Sequence, residues 1–106
     1  MTPQVRRNDD TQRYELLDGD RQLGYAEFRP IGTAVMLPHT EVEEGHEGEG
    51  LGSQLARAAL DDIRAQGKQV MPMCPFIAAY IRRHPEYNDL IHRSEEHMSE
   101  LQSRFG

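Results

Sequence analysis

Gly48-Glu49-Gly50-Leu51-Gly52-Ser53-Gln54-Leu55-Ala56-Arg57-Ala58-Ala59-Leu60-Asp61-Asp62-Ile63 is the stretch on which the architecture turns. Three glycines alternate, and a helical pattern follows at once. Leu51, Leu55, Ala59 and Ile63 recur every four residues, with Ala58 and Leu60 beside that stripe. No proline interrupts the run, and Ala56, Ala58, Ala59 and Leu60 are strong helix formers. Gly67 is placed to stop the helix, with Lys68 at the negative end of its dipole. Ahead of the helix, missing Cβ atoms let backbone N–H groups come close to an oxyanion, which the positive end of the dipole also attracts. A phosphate or pyrophosphate is the natural guest, and Ser53 adds a hydroxyl donor. Glycines before a helix equally permit a merely flexible loop, so the pattern alone is weakly specific.

Two nucleotide-binding patterns are excluded by spacing. A Walker loop needs Lys and then Ser or Thr after its last glycine, whereas Ser53-Gln54 stands here. A dinucleotide fingerprint spreads its glycines as G-x-G-x-x-G after a first strand, and this run is tighter and comes later.

Upstream, the chain reads as an antiparallel meander. Thr11–Leu17 is an expected first strand, Asp18-Gly19-Asp20 a turn, and Leu23–Phe28 a second strand. Thr33–Val42 reads as one third strand with Val35, Leu37 and His39 on a shared face, Pro38 marking an edge or bulge. Downstream, Lys68–Cys74 is a short strand, parallel to its predecessor because a helix connects them. Pro75 suits the first position of a second helix through Ile81, which Pro85 limits. Ile91, Met98, Leu101 and Phe105 outline a weak C-terminal helix. The fold class is therefore α/β, a mixed α+β sheet with helices packed on it. One domain spans 1–106, its core at about 11–92 and a weakly helical or frayed tail at 93–106.

Composition narrows the function classes. A net charge of −6 and a pI near 5.3 lack the basic footprint of nucleic-acid binders. No apolar run approaches the roughly 20 residues that cross a bilayer, and no apolar stretch follows the charges of the N-terminus. One cysteine, Cys74, makes no internal pair, so a reducing cytoplasm is the expected compartment. The five histidines have no metal-ligand spacing; His92 and His97, five apart, do not share a helical face. No metal is expected.

The runs His39-Thr40-Glu41-Val42, Gly48-Glu49-Gly50-Leu51-Gly52-Ser53 and Pro72-Met73-Cys74-Pro75-Phe76-Ile77-Ala78-Ala79-Tyr80-Ile81-Arg82-Arg83-His84-Pro85-Glu86-Tyr87 together are more specific. The chain resembles the small YjdJ-type branch of the GNAT N-acetyltransferase superfamily over roughly residues 11–92. The resemblance implies a shortened acetyltransferase fold, acetyl-CoA as cosubstrate, and an amine acceptor, either a small molecule or a protein lysine or N-terminus. It sets Glu41 and Val42 beside the pantetheine arm, and the amides of Glu47, Gly48, Glu49, Gly50, Leu51 and Gly52, with Ser53, on the pyrophosphate. The wider pattern is Q/R-x-x-G-x-G/A; Gly50 and Gly52 match it and Glu47 departs from it. The helices that usually precede the loop have no counterpart, and Tyr80 and Tyr87 lie in the region of the usual general acid.

Acetyl transfer needs a neutral amine, so a base must take a proton from the ammonium. His39 and Glu41, at i and i+2 on the strand leading to the loop, are the candidate bases. Cys74, before a helix N-terminus, is the candidate nucleophile or a lining residue of the thioester pocket; buried cysteines also serve as plain small hydrophobes. Arg82, Arg83 and His84 read as a solvated cap, with contact to the coenzyme's 3′-phosphate as the alternative. A non-catalytic acyl-CoA-binding module and an interaction domain with a fortuitous loop are the competing functional readings.

Overall fold

A computed structural model describes residues 3–43 and 50–91 of the chain. The meander begins one strand earlier than the hydrophobic pattern suggests. β1 (Gln4–Asn8) pairs antiparallel with β2 (Arg13–Asp18), Val5 standing opposite Leu16. Its sequence, Gln-Val-Arg-Arg-Asn, carries too little apolar alternation to be read as a strand. Two arginines suit a sheet edge, which charge protects from further pairing. Arg6 bonds Glu15 at 3.0 Å, Arg7 bonds Asp62 at 2.8 Å, and Asn8 Oδ1 accepts the amides of Asp10 and Thr11 in the connecting turn.

β2 passes to β3 (Arg21–Glu27) through the expected turn, with Gly19 at φ 65° in its first central position. β4 (Arg29–Ile31) and β5 (Ala34–Met36) form a hairpin, and β6 (Thr40–Val42) returns to β3. The order is β1-β2-β3-β6 in one sheet, while β4 and β5 belong to a second, smaller one.

The single strand expected over Thr33–Val42 is thus two strands in two sheets, and Pro38 is the reason. Leu37 donates its N–H to Met71 O and accepts the N–H of Cys74, both toward one neighbour. His39 O, two residues on, accepts the Glu27 N–H from the other neighbour. In a regular strand residues two apart bond to the same side. Proline supplies no N–H to a ladder, and the strand turns over there. For the same reason Val35 and Leu37 are buried while His39 is exposed, so the face expected to join all three ends at Leu37.

α1 (Leu51–Ala65) buries Leu51, Leu55, Ala56, Ala59, Leu60 and Ile63 against β2 and β3. It stops as its glycine demands: Gly67, at φ 72°, donates to Arg64 O, and Lys68 donates to Ile63 O. The chain then re-enters the smaller sheet as β7 (Gln69–Met71), parallel to β5, as the intervening helix requires. α2 (Pro75–Arg83) starts on its proline and gives way to a 3-10 turn over Pro85–Leu90. Tyr14, Leu16, Leu37, Leu60, Ile63, Val70, Ile77 and Ile81 lie in one core. Of the residues outlining a C-terminal helix, Ile91 is extended and bridges Val70 in parallel, while Met98, Leu101 and Phe105 fall outside the described residues.

Gly24 allows β6 to seat on β3. A Cβ there would stand 2.5 Å from Glu41 O and 3.1 Å from Val42 Cα. Both are backbone atoms, so relief requires moving the strand itself. Gly24→Ala is expected to lose about 1–3 kcal/mol of stability, measured by urea unfolding. An unchanged midpoint would mean that β6 does not lie this close.

Candidate functional site

The turn at Pro38 opens a fork. β5 stays with β7, while β6 leaves for β3 and becomes the edge of the larger sheet. His39 O and Glu43 N bond to β3, so alternation points the N–H and C=O groups of Thr40 and Val42 to the free edge. Cys74 lies at the crotch, its N–H donated to Leu37 O at 3.0 Å. It is buried and is the cap residue before α2.

The three predicted chemical residues are not gathered equally. His39 and Glu41 do share a face: His39 Nε2 is 3.7 Å from Glu41 Oε2, with side chains 49% and 64% exposed. Among the described residues, no hydrogen bond joins the Cys74 thiol to either.

A third residue joins His39 and Glu41, and the sequence reading missed it. Tyr25 stands directly opposite Glu41 in the ladder and donates its O–H to Glu41 Oε1 at 3.0 Å. Burial, and then this bond, raise the Tyr25 phenol above its ordinary range. Its ring packs beneath the Arg13 guanidinium, 4.0 Å from the ring centroid. Cross-strand pairing decides this contact, and no spacing within one strand announces it. The other carboxylates of this face have arginines: Glu15 with Arg6, Glu27 with Arg13 and Arg29, Glu43 with Arg21. Glu41 has a tyrosine and a histidine instead. A cavity of about 400 Å³ adjoins it, lined by Tyr25, Glu41, Val42 and Glu43 among others.

Beyond β6 lies the start of α1. Glu47, Gly48 and Glu49 fall outside the described residues. Gly50 is the cap at φ 73°, a left-handed conformation that glycine adopts freely. No described atom lies within 4 Å of the place a Cβ would take. Leu51, Gly52 and Ser53 are the first helical residues, and their N–H groups have no intrahelical acceptor and no side-chain cap. Gly52 differs from Gly50 in purpose. It is helical, and a Cβ would meet the Phe76 ring at 2.8 Å, so its bareness lets α2 approach α1.

Of the two tyrosines near the expected acid position, Tyr87 donates its O–H to Asp61 at 2.7 Å; burial and this bond push it up to about 12. Tyr80 is buried, which raises its phenol, and its ring stacks on His84 with centroids 4.1 Å apart. No group of three His, Cys, Asp or Glu side chains among the described residues could hold a metal ion.

The chain's likenesses point to one family. The family profile described as GCN5-related N-acetyl-transferase matches residues 13–90. Protein NATD1 of mouse is 28% identical over 85 residues, covering 76% of this chain and 77% of the mouse protein. Protein NATD1 of chicken is 35% identical over 70 residues, 65% of this chain and 64% of its own length. The human protein of that name is 30% identical over 70 residues, 65% and 62%. The match thus takes in slightly less than two thirds of the chicken and human proteins. The solution structure of a GCN5-like protein from Staphylococcus aureus superposes with a TM-score of 0.66 over 91% of this chain and 94% of that one. Its 18% identity makes that a likeness of fold.

Proposed function

The chain belongs to the GCN5-related N-acetyltransferase family, and from that premise we propose that it binds acetyl-CoA at the fork and transfers acetyl to an amine. One observation carries the reading: among the described residues, the change of partner at Pro38 leaves one edge of β6 unpaired, and α1 packs against the same strand. An edge of unpaired peptide groups suits the amide-bearing pantetheine arm, and Thr40 and Val42 would hold it. The pyrophosphate would take the loop amides from Glu47 to Gly52 with the Ser53 hydroxyl. The left-handed Gly50 and the uncapped amides after it fit that group.

When bound, the coenzyme supplies an activated acetyl thioester. The chain's part is then to orient an amine and remove its proton. Glu41 is the better-placed base, because among the described residues its carboxylate has no arginine partner and Tyr25 holds one oxygen. His39 stands beside it as a second acceptor of that proton. Among the described residues no base is hydrogen-bonded to the Cys74 thiol, which favours direct attack by the amine over relay through the thiol; Cys74 would then line the acetyl pocket.

Calorimetric titration with acetyl-CoA, and separately with desulfo-CoA, tests the site. Saturable binding of both is expected, and no binding up to millimolar ligand would end the acetyltransferase reading. The exposure of His39 and Glu41 favours one alternative, a non-catalytic acyl-CoA-binding module. Thiol release in the presence of small primary amines or lysine peptides separates the two.

A further inference from the structure

Gly50, Ser53, Gln54 and Arg57 stand at i, i+3, i+4 and i+7, one face of α1. That face meets Tyr80 of α2 and His84, which caps that helix, across a cavity of about 450 Å³. The cavity extends along the helix, away from the uncapped amides, and Arg57 lies about 6 Å beyond Ser53 at 1.5 Å per residue.

Arg57, Arg82 and Arg83 have no ion pair among the described residues, and of the three it is Arg57 that lines this cavity. Arg6, Arg7, Arg13, Arg21, Arg29 and Arg64 each have a carboxylate within 4 Å. Arg57 has none among the described residues. Asp61, one turn further, is its natural helical partner but accepts the Tyr87 O–H instead. An unpaired guanidinium beside a cavity is a fork of donors suited to a phosphate. Opposite it, the His84 ring is held flat on Tyr80. Glu86 lies 3.8 Å from His84 Nδ1, which leaves the other ring nitrogen without a described partner.

The cavity therefore has two places for anions, the helix start and the Arg57–His84 pair. The proposed coenzyme carries a diphosphate and a separate phosphate ester, one ribose apart. We infer that Arg57 and His84 bind the 3′-phosphate of coenzyme A and make the protein selective for the 3′-phosphorylated coenzyme. This rests on the coenzyme reading above, and adds a specificity determinant to it. Arg82 and Arg83, which the sequence set beside His84 in one basic cluster, do not line this cavity.

The test compares CoA with 3′-dephospho-CoA by calorimetry, in the unaltered protein and in Arg57→Gln. Arg57 is exposed, so the variant is expected to fold, which its thermal melt checks. The unaltered protein should bind CoA at least about tenfold more tightly than dephospho-CoA, the value of one charge-assisted hydrogen bond. Arg57→Gln should remove most of that preference by weakening CoA alone. Equal binding of both ligands by the unaltered protein, or a preference that survives in Arg57→Gln, overturns the inference and leaves coenzyme binding standing. Binding of neither ligand overturns both.

Discussion

Glu41→Gln is expected to lower the rate of acetyl transfer by about 10²- to 10⁴-fold, the usual worth of a positioned general base, while acetyl-CoA affinity changes little. The amide keeps the size of the carboxylate and can still accept the Tyr25 O–H, so the cluster should survive the change. It cannot take a proton from an ammonium. The measurement is steady-state thiol release against amine concentration, paired with calorimetric titration of the coenzyme. Tyr25→Phe removes the bond at 3.0 Å without removing the base and should cost less than Glu41→Gln. Should Glu41→Gln retain full turnover while His39→Asn loses it, the histidine is the base. If neither matters, the cluster has no part in the chemistry.

Gly50→Val is expected to weaken coenzyme binding at least about 100-fold, whereas Gly50→Asn should weaken it far less. Gly50 holds φ 73°, where a β-branched residue is strained by about 1–3 kcal/mol and asparagine is tolerated. No described atom lies near the missing Cβ, so the penalty is conformational and not a clash. Relief comes by rotating the cap out of the left-handed region. That turns the Gly50 amide and the chain leading into it away from the helical amides of Leu51, Gly52 and Ser53, and an anion held by donors on both sides of the cap is lost when they diverge. Calorimetry on both variants, with circular dichroism to confirm that α1 is intact, reads the difference. Equal losses in the two would show that bulk at the cap, and not its backbone angle, governs binding. Equal retention would remove the helix start from the site.

Gly52→Ala makes a useful contrast with these. Its Cβ would press on the Phe76 ring, so the first effect belongs to the packing of α1 on α2. Two glycines of one motif thus act through different physics, one through its backbone angle and one through its lack of bulk. The sequence pattern alone treats them as equals.

Much of the architecture was legible residue by residue because local rules govern it. Helix α1 follows from a four-residue apolar stripe and a left-handed glycine stop, α2 from its leading proline, and the β2–β3 turn from Gly19. The parallel pairing of β5 with β7 follows from the helix between them. His39 and Glu41 could be placed on one face by strand alternation alone, and they lie 3.7 Å apart. Strand β1 escaped notice because an edge strand satisfied by Arg6–Glu15 and Arg7–Asp62 needs no apolar alternation. Pro38 was visible as a disturbance in the third strand. That it divides the strand between two sheets depends on which neighbour each peptide group finds, a choice made by Glu27, Met71 and Cys74 from elsewhere in the chain. The same holds for Tyr25 on Glu41 and for Arg57 facing His84. What the sequence alone determined were the elements and their ends, set by periodicity, capping and proline. The tertiary structure decided the fork and the pairs that line it, because those contacts join residues that only the packed sheet brings together.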